Sequence, residues 1–166
     1  AVISIVTRQK GRPRAEATFE GGSLGTTRLT ASSSGTRGRW SWGGAAERVA
    51  SNGFTGTAPT GERVSNDDYR THQATGTATW RAGGAELILN GAWIWSDRGY
   101  PGPFGSNPLG FFTGVDRVSR GVTDTRQAGA SLVAPMASSR VHQHVQVSWF
   151  DLANDFTSLY GLSSSG

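Results

Sequence analysis

The chain is 166 residues long with no cysteine, 24 glycines and a formal net charge of +4, carried by 16 Lys/Arg against 12 Asp/Glu. Glycine is about twice its usual share, and only 17% of residues are charged, so this is not the composition of a soluble helical domain. The absence of cysteine excludes a disulfide scaffold and a thiolate metal site, no window holds the ~18 apolar residues of a membrane helix, and the arginines are scattered from Arg8 to Arg140 with no stripe for nucleic acid.

Taken in chain order, the hydrophobic period is two. Ala1 opens an apolar run to Val6, followed by a basic linker to Pro13. Ala15, Ala17 and Phe19 then alternate with Glu16, Thr18 and Glu20. Thr27, Leu29 and Ala31 alternate with Arg28, Thr30 and Ser32, and Trp40 and Trp42 with Arg39 and Ser41. Ala74, Gly76, Ala78 and Trp80 oppose Gln73, Thr75, Thr77 and Thr79. Leu87, Leu89, Gly91, Trp93 and Trp95 oppose Glu86, Ile88, Asn90, Ala92 and Ile94. Ala128, Ala130, Leu132 and Ala134 oppose Gln127, Gly129 and Ser131. Last, Val141, Gln143, Val145, Val147 and Trp149 oppose His142, His144, Gln146, Ser148 and Phe150.

This predicts about seven antiparallel strands after residue 13, each with one apolar and one polar face. At about 11 residues of ~3.3 Å and a tilt near ~40°, such strands rise roughly 28 Å, close to the ~25 Å apolar band of an outer-membrane barrel. Short turns are expected near Gly35–Gly38, Ala82–Ala85 and Pro135–Ser139, a tight link at Gly21–Gly25, and long connections at Ala50–Asp68 and Asp97–Gly121. Sorting short turns to one edge and long loops to the other is a membrane-barrel pattern. Trp80 before a short turn, and Trp93, Trp95, Trp149 and Phe150 before long connections, are expected to form two interfacial girdles. The Gly/Ser tail from Gly161 to Gly166 has no evident closing element, and both ends read as cuts through a longer protein.

Val2, Ile3, Ile5, Val6, Thr7 and Arg8, with the linker Gln9 to Pro13, resemble the junction between plug and barrel in TonB-dependent outer-membrane receptors. The stretch Tyr100 to Leu132 is similar to an exterior loop and returning strand of the cobalamin-receptor-like branch. The resemblance implies an all-β fold, a partial antiparallel transmembrane barrel over residues 14–166 preceded by the last plug strand and linker over residues 1–13. It implies import of a scarce solute such as cobalamin or a metal chelate, energised through TonB from the inner membrane, in the bacterial outer membrane with its lipid as partner. No catalysis and no cofactor are implied. A passive channel or smaller barrel, and a soluble all-β binding module, are the alternatives.

Site candidates follow from residue type. The loop Arg98 to Gly121 gathers Tyr100, Phe104, Phe111 and Phe112 with Arg98, Asp116, Arg117 and Arg120 between stiffening prolines, as a ligand-binding loop does. Asn66, Asp67 and Asp68 offer clustered oxygens that could hold calcium or simply form a turn. His142 and His144 share a strand face with Gln146 and Ser148, which reads as a polar wall without a third metal ligand. The glycines from Gly21 to Gly25 precede no Lys-Ser/Thr and no helix, so they form a turn and not a phosphate cradle.

Overall fold

The computed structural model describes residues 11–54, 56–102, 114–136, 141–158 and 161–165. These form one antiparallel sheet of eight strands in sequence order, with no helix among the described residues: β1 (Arg14–Gly21), β2 (Thr27–Arg37), β3 (Trp40–Ser51), β4 (Tyr69–Ala82), β5 (Ala85–Gly99), β6 (Arg120–Pro135), β7 (His142–Ser158) and β8 (Gly161–Ser165). Each strand pairs only with its neighbours in sequence, and β1 does not meet β8, so the sheet is open. The run proposed as a plug strand lies almost wholly outside the described residues.

Three expectations need correction. An eighth strand exists: pairs from Gly161–Ser158 to Ser165–Asn154 extend the ladder from β7. Its Gly and Ser residues carry no apolar alternation, but backbone pairing requires none, which is why the segment read as a tail. Strands are also longer than the apolar runs that announced them, reaching 15, 16 and 17 residues in β5, β6 and β7. Trp149 and Phe150 therefore lie in the interior of β7, well before its end, and on opposite faces. Finally, the first short turn is at 38–39, because β2 runs through Gly35 to Arg37.

The ladder register carries both faces across the sheet without a slip. On one side Thr30, Glu47, Gln73, Ile94 and Thr125 stand in a row, and below it Ser34, Gly43, Thr77, Asn90, Gly129 and Ser148. On the other side Trp42, Ala78, Leu89, Ala130 and Val147 are neighbours, as are Trp40, Trp80, Leu87, Leu132 and Val145. A slip by one residue would turn every side chain over, so agreement over five consecutive pairings is strong specification.

The sheet has almost no core. Among the described residues only Ala58 and Val64 are buried hydrophobics, whereas Val147 is 65% exposed, Trp149 54% and Val145 56%. The covered residues lie on the polar face: Ser41 at 2% and Thr79 at 1%. In a single layer such cover comes from neighbours on the same side, including Arg81, whose guanidinium donates to Ser41 Oγ at 3.3 Å. The most covered side chains of the sheet therefore include polar ones, while large apolar side chains such as Val147 and Trp149 stand exposed.

Connections alternate as the sequence led one to expect. The β2 to β3, β4 to β5 and β6 to β7 connections leave from one end, the first two through 38–39 and 83–84. The strand ends joined by the two long connections, β3 to β4 and β5 to β6, lie at the other end, with those of β1 to β2 and β7 to β8. The turn at 83–84 takes positive φ at both glycines, 57° and 82°, the type I′ geometry that fits the twist of a two-residue hairpin.

Candidate functional site

The two long connections meet over the ends of β4, β5 and β6, and one arginine joins them. Arg120, the first residue of β6, donates from Nη1 and Nη2 to Asp68 at 2.8 and 3.1 Å, and from Nε and Nη2 to Asp97 Oδ1 at 3.0 and 2.8 Å. Its Nη1 also reaches Asn66 Oδ1 at 3.3 Å. A planar guanidinium with five donors can hold three such partners in one plane; a lysine could not. Asn66 extends the knot, donating from Nδ2 to the carbonyls of Asp116 and Ser119 at 3.0 and 2.8 Å. It sits at φ 63°, a left-handed conformation that Asn tolerates better than most residues.

Close approach at this junction depends on Gly99. A Cβ there would stand 2.2 Å from the Asn66 carbonyl oxygen, and the Gly99 N–H donates to Asp68 O at 3.0 Å. Further out, Gly53 allows a similar approach. With φ at 80°, it lets the Asp67 carboxylate lie against the backbone and accept the Phe54 N–H at 2.7 Å.

Asp116 and Arg117, expected as ligand contacts, are committed inside the loops. Asp116 Oδ1 accepts the N–H groups of Val118 and Ser119 at 2.8 and 2.9 Å, and Oδ2 accepts the Ser119 hydroxyl at 2.5 Å. Burial raises its pKa, but these hydrogen bonds outweigh it and hold the carboxyl below the usual carboxylate range. Arg117 pairs with Glu62 of the other loop, and Glu62 also accepts the Val115 N–H at 3.3 Å. Both residues therefore fix the loops against each other. Phe104, Phe111 and Phe112 lie outside the described residues.

Tyr100 is the expected contact that the structure leaves presented. It stands at the loop end of the polar face, 42% exposed, with its ring edge-on to Phe156 at 5.6 Å and the Arg98 guanidinium 5.7 Å from its centroid. The calcium candidates are arranged as a turn: Asp68 faces Arg120, Asp67 caps Phe54, and Asn66 turns its amide to carbonyls. Among the described residues no three His, Cys, Asp or Glu side chains group as metal ligands. His144 Nε2 lies 2.8 Å from Ser131 Oγ across the β6–β7 ladder, as a member of the polar wall.

On the apolar face the tryptophans take a graded position. Trp93 donates from Nε1 to Asp124 at 3.0 Å, and Asp124 is paired with Arg126 at 2.7 Å. Charges begin where the apolar run ends: Arg126 and Asp151 stand in the same row as Trp93, one row above Ala128 and Trp149. Sequence reasoning missed Arg120 as the organising residue, because its partners Asp68 and Asp97 are separated from it by a loop and a strand. Compared with known proteins, the chain matches no family model, no curated protein and no solved structure.

Proposed function

We propose that this chain is an arc of the wall of a bacterial outer-membrane β-barrel of the TonB-dependent receptor kind, importing a scarce solute such as a cobalamin or a metal chelate. The observation that carries the reading is the single-layer sheet with its continuous, uncovered apolar face, flanked by tryptophans and then by charge. In water such a face demands a second layer, and exposed patches of that size are rare on soluble monomers. In a bilayer the same face is matched to hydrocarbon, with Trp93 bonding Asp124 at the depth where amphipathic rings settle.

Two further features support it. The long, cross-linked connections lie at one end and short turns at the other, as in barrels with exterior loops and periplasmic turns. The open edges of β1 and β8 require further strands, since unpaired backbone groups in hydrocarbon cost several kcal/mol each. In this reading Thr, Ser, Gln and Asn side chains line a lumen, solute meets the loop end first, and the plug is the element on which TonB pulls. The chain's role is mechanical and selective, not catalytic.

Cell fractionation of the full-length parent tests the proposal. Recovery in the outer-membrane fraction, released only by detergent, is expected; recovery from the soluble periplasm would refute it. A mutant lacking the TonB energising complex should bind solute but not accumulate it, whereas unchanged uptake would favour a passive channel.

A further inference from the structure

On the apolar side, the first row beyond Trp93 toward the loop end is Phe19, Leu29, Arg48, His72, Trp95 and Asp124, and the next row brings Arg70 beside Asp97. Phe19 and Leu29 are exposed, so the row still belongs to the surface read as lipid-facing. Charge in such a place is costly unless it is paired. Asp124 is paired with Arg126 and accepts Trp93, and Asp68 and Asp97 are both paired with Arg120. Arg48 and Arg70 differ: both are exposed, and neither makes an ion pair among the described residues.

Arg70 stands directly across from Asp97, but Asp97 Oδ1 is taken by Arg120. Arg48 has no carboxylate beside it on this face, since its ladder partners are Leu29 and His72. The β7 carboxylates of the same face, Asp151 and Asp155, lie four strands from Arg48, about 19 Å at ~4.8 Å per strand, out of ion-pair reach. His72 completes the group. Its ring is held by two tryptophans, stacked on Trp93 at 6.5 Å and tilted against Trp95 at 5.3 Å between centroids. Directly opposite residues on a ladder stand ~5 Å apart and diagonal ones ~7–8 Å, so Arg48, His72 and Arg70 form a triangle that long basic side chains can close around one oxyanion. Toward the midplane the same side carries only Ala46 and Ala74, then Gly44 and Gly76, and a hollow of about 400 Å³ opens there beside Trp42 and Leu89.

We propose that Arg48, Arg70 and His72 bind the phosphate of an anionic lipid headgroup in the leaflet at the loop end, its acyl chains descending over Ala46 and Ala74. Guanidinium forks match phosphate oxygens, and tryptophans such as Trp95 settle at headgroup depth. A free anion or an acidic peptide would meet the charges but leave Phe19 and Leu29 uncovered; a phosphate joined to hydrocarbon satisfies both. The inference rests on the reading of this side as the outer face of a barrel wall, and it concerns a resident lipid, separate from the imported solute.

Native mass spectrometry of the detergent-purified full-length parent tests it, with phosphatidylglycerol, phosphatidylcholine of the same chains and inorganic phosphate as probes. Phosphatidylglycerol should be retained in preference to phosphatidylcholine, and excess inorganic phosphate should not displace it. Arg48→Gln and Arg70→Gln should each weaken retention about fivefold, Arg48→Lys should weaken it less, and Arg63→Gln, in the connection between β3 and β4, should leave it unchanged. Equal retention of the two lipids, an equal effect of Arg48→Gln and Arg63→Gln, or displacement by inorganic phosphate would overturn the inference while leaving the transporter reading intact. A parent recovered from the soluble periplasm would instead overturn that reading.

Discussion

At the scale of single residues, the loop end is held by geometry that few side chains could replace. Gly99→Ala places a methyl group 2.2 Å from the Asn66 carbonyl, a backbone atom that cannot yield without moving the loop. The expected outcome is separation of the two long connections, read as rapid tryptic cleavage at Arg63 or Arg117 in a protein whose strands stay protected. Asp68 gives a pH-dependent counterpart. Its bonds to Arg120, working against desolvation, hold its carboxyl below the ordinary value of 3.8. A group depressed in this way contributes stability above its unfolded pKa and loses it as pH falls through the folded one. The junction should therefore stay closed at neutral and mildly acid pH and open only below about 3.8. Pepsin cleavage in the 52–68 connection should rise over that range in the wild type, and Asp68→Asn should be cleaved equally at all pH values once the protease's own response is divided out.

At the scale of elements, each strand has two chemically distinct sides, and neighbouring positions should respond differently to the same change. Val147 and Ser148 are adjacent in β7 but face opposite ways, in rows with Ala130 and Gly129 respectively. In the full-length parent, Val147→Arg should impair assembly by about 2–4 kcal/mol if it lies near the midplane, whereas Ser148→Arg should be tolerated. Folding yields into vesicles measure this, and equal losses would refute the face assignment. Much of the element scale was legible in the sequence, because period-two alternation survives wherever one side is apolar, as from Leu87 to Trp95. It failed where chemistry hid the period. Asp151 and Asp155 interrupt the apolar face of β7 and concealed its length, and the Gly and Ser residues of β8 carry no pattern at all. The junction was legible only in pieces. Asp68 read as a possible cation ligand and Arg120 as one loop charge among several, because their meeting depends on long-range register. Tyr100 was legible as an aromatic group beside stiffening prolines, whereas its neighbour Phe156 was not, since it comes from another strand.

For the whole molecule, the decisive property is that an eight-stranded sheet presents one face to no partner of its own. The sheet's stability in isolation would rest on backbone pairing and cross-strand contacts, with only Ala58 and Val64 buried as hydrophobics among the described residues. In the proposed barrel reading the missing layer comes from the surroundings: lipid on the apolar side and a lumen on the polar side. This segment contains no cysteine, so labels can be placed on it singly. Single cysteines placed at Val145, Gln146, Val147 and Ser148 of the full-length parent, spin-labelled and reconstituted in bilayers, report access to lipid-soluble oxygen and to a water-soluble nickel chelate. A barrel wall predicts alternation with a period of two: oxygen access high at 145 and 147, chelate access high at 146 and 148. Chelate access at all four positions, with no alternation, would contradict it.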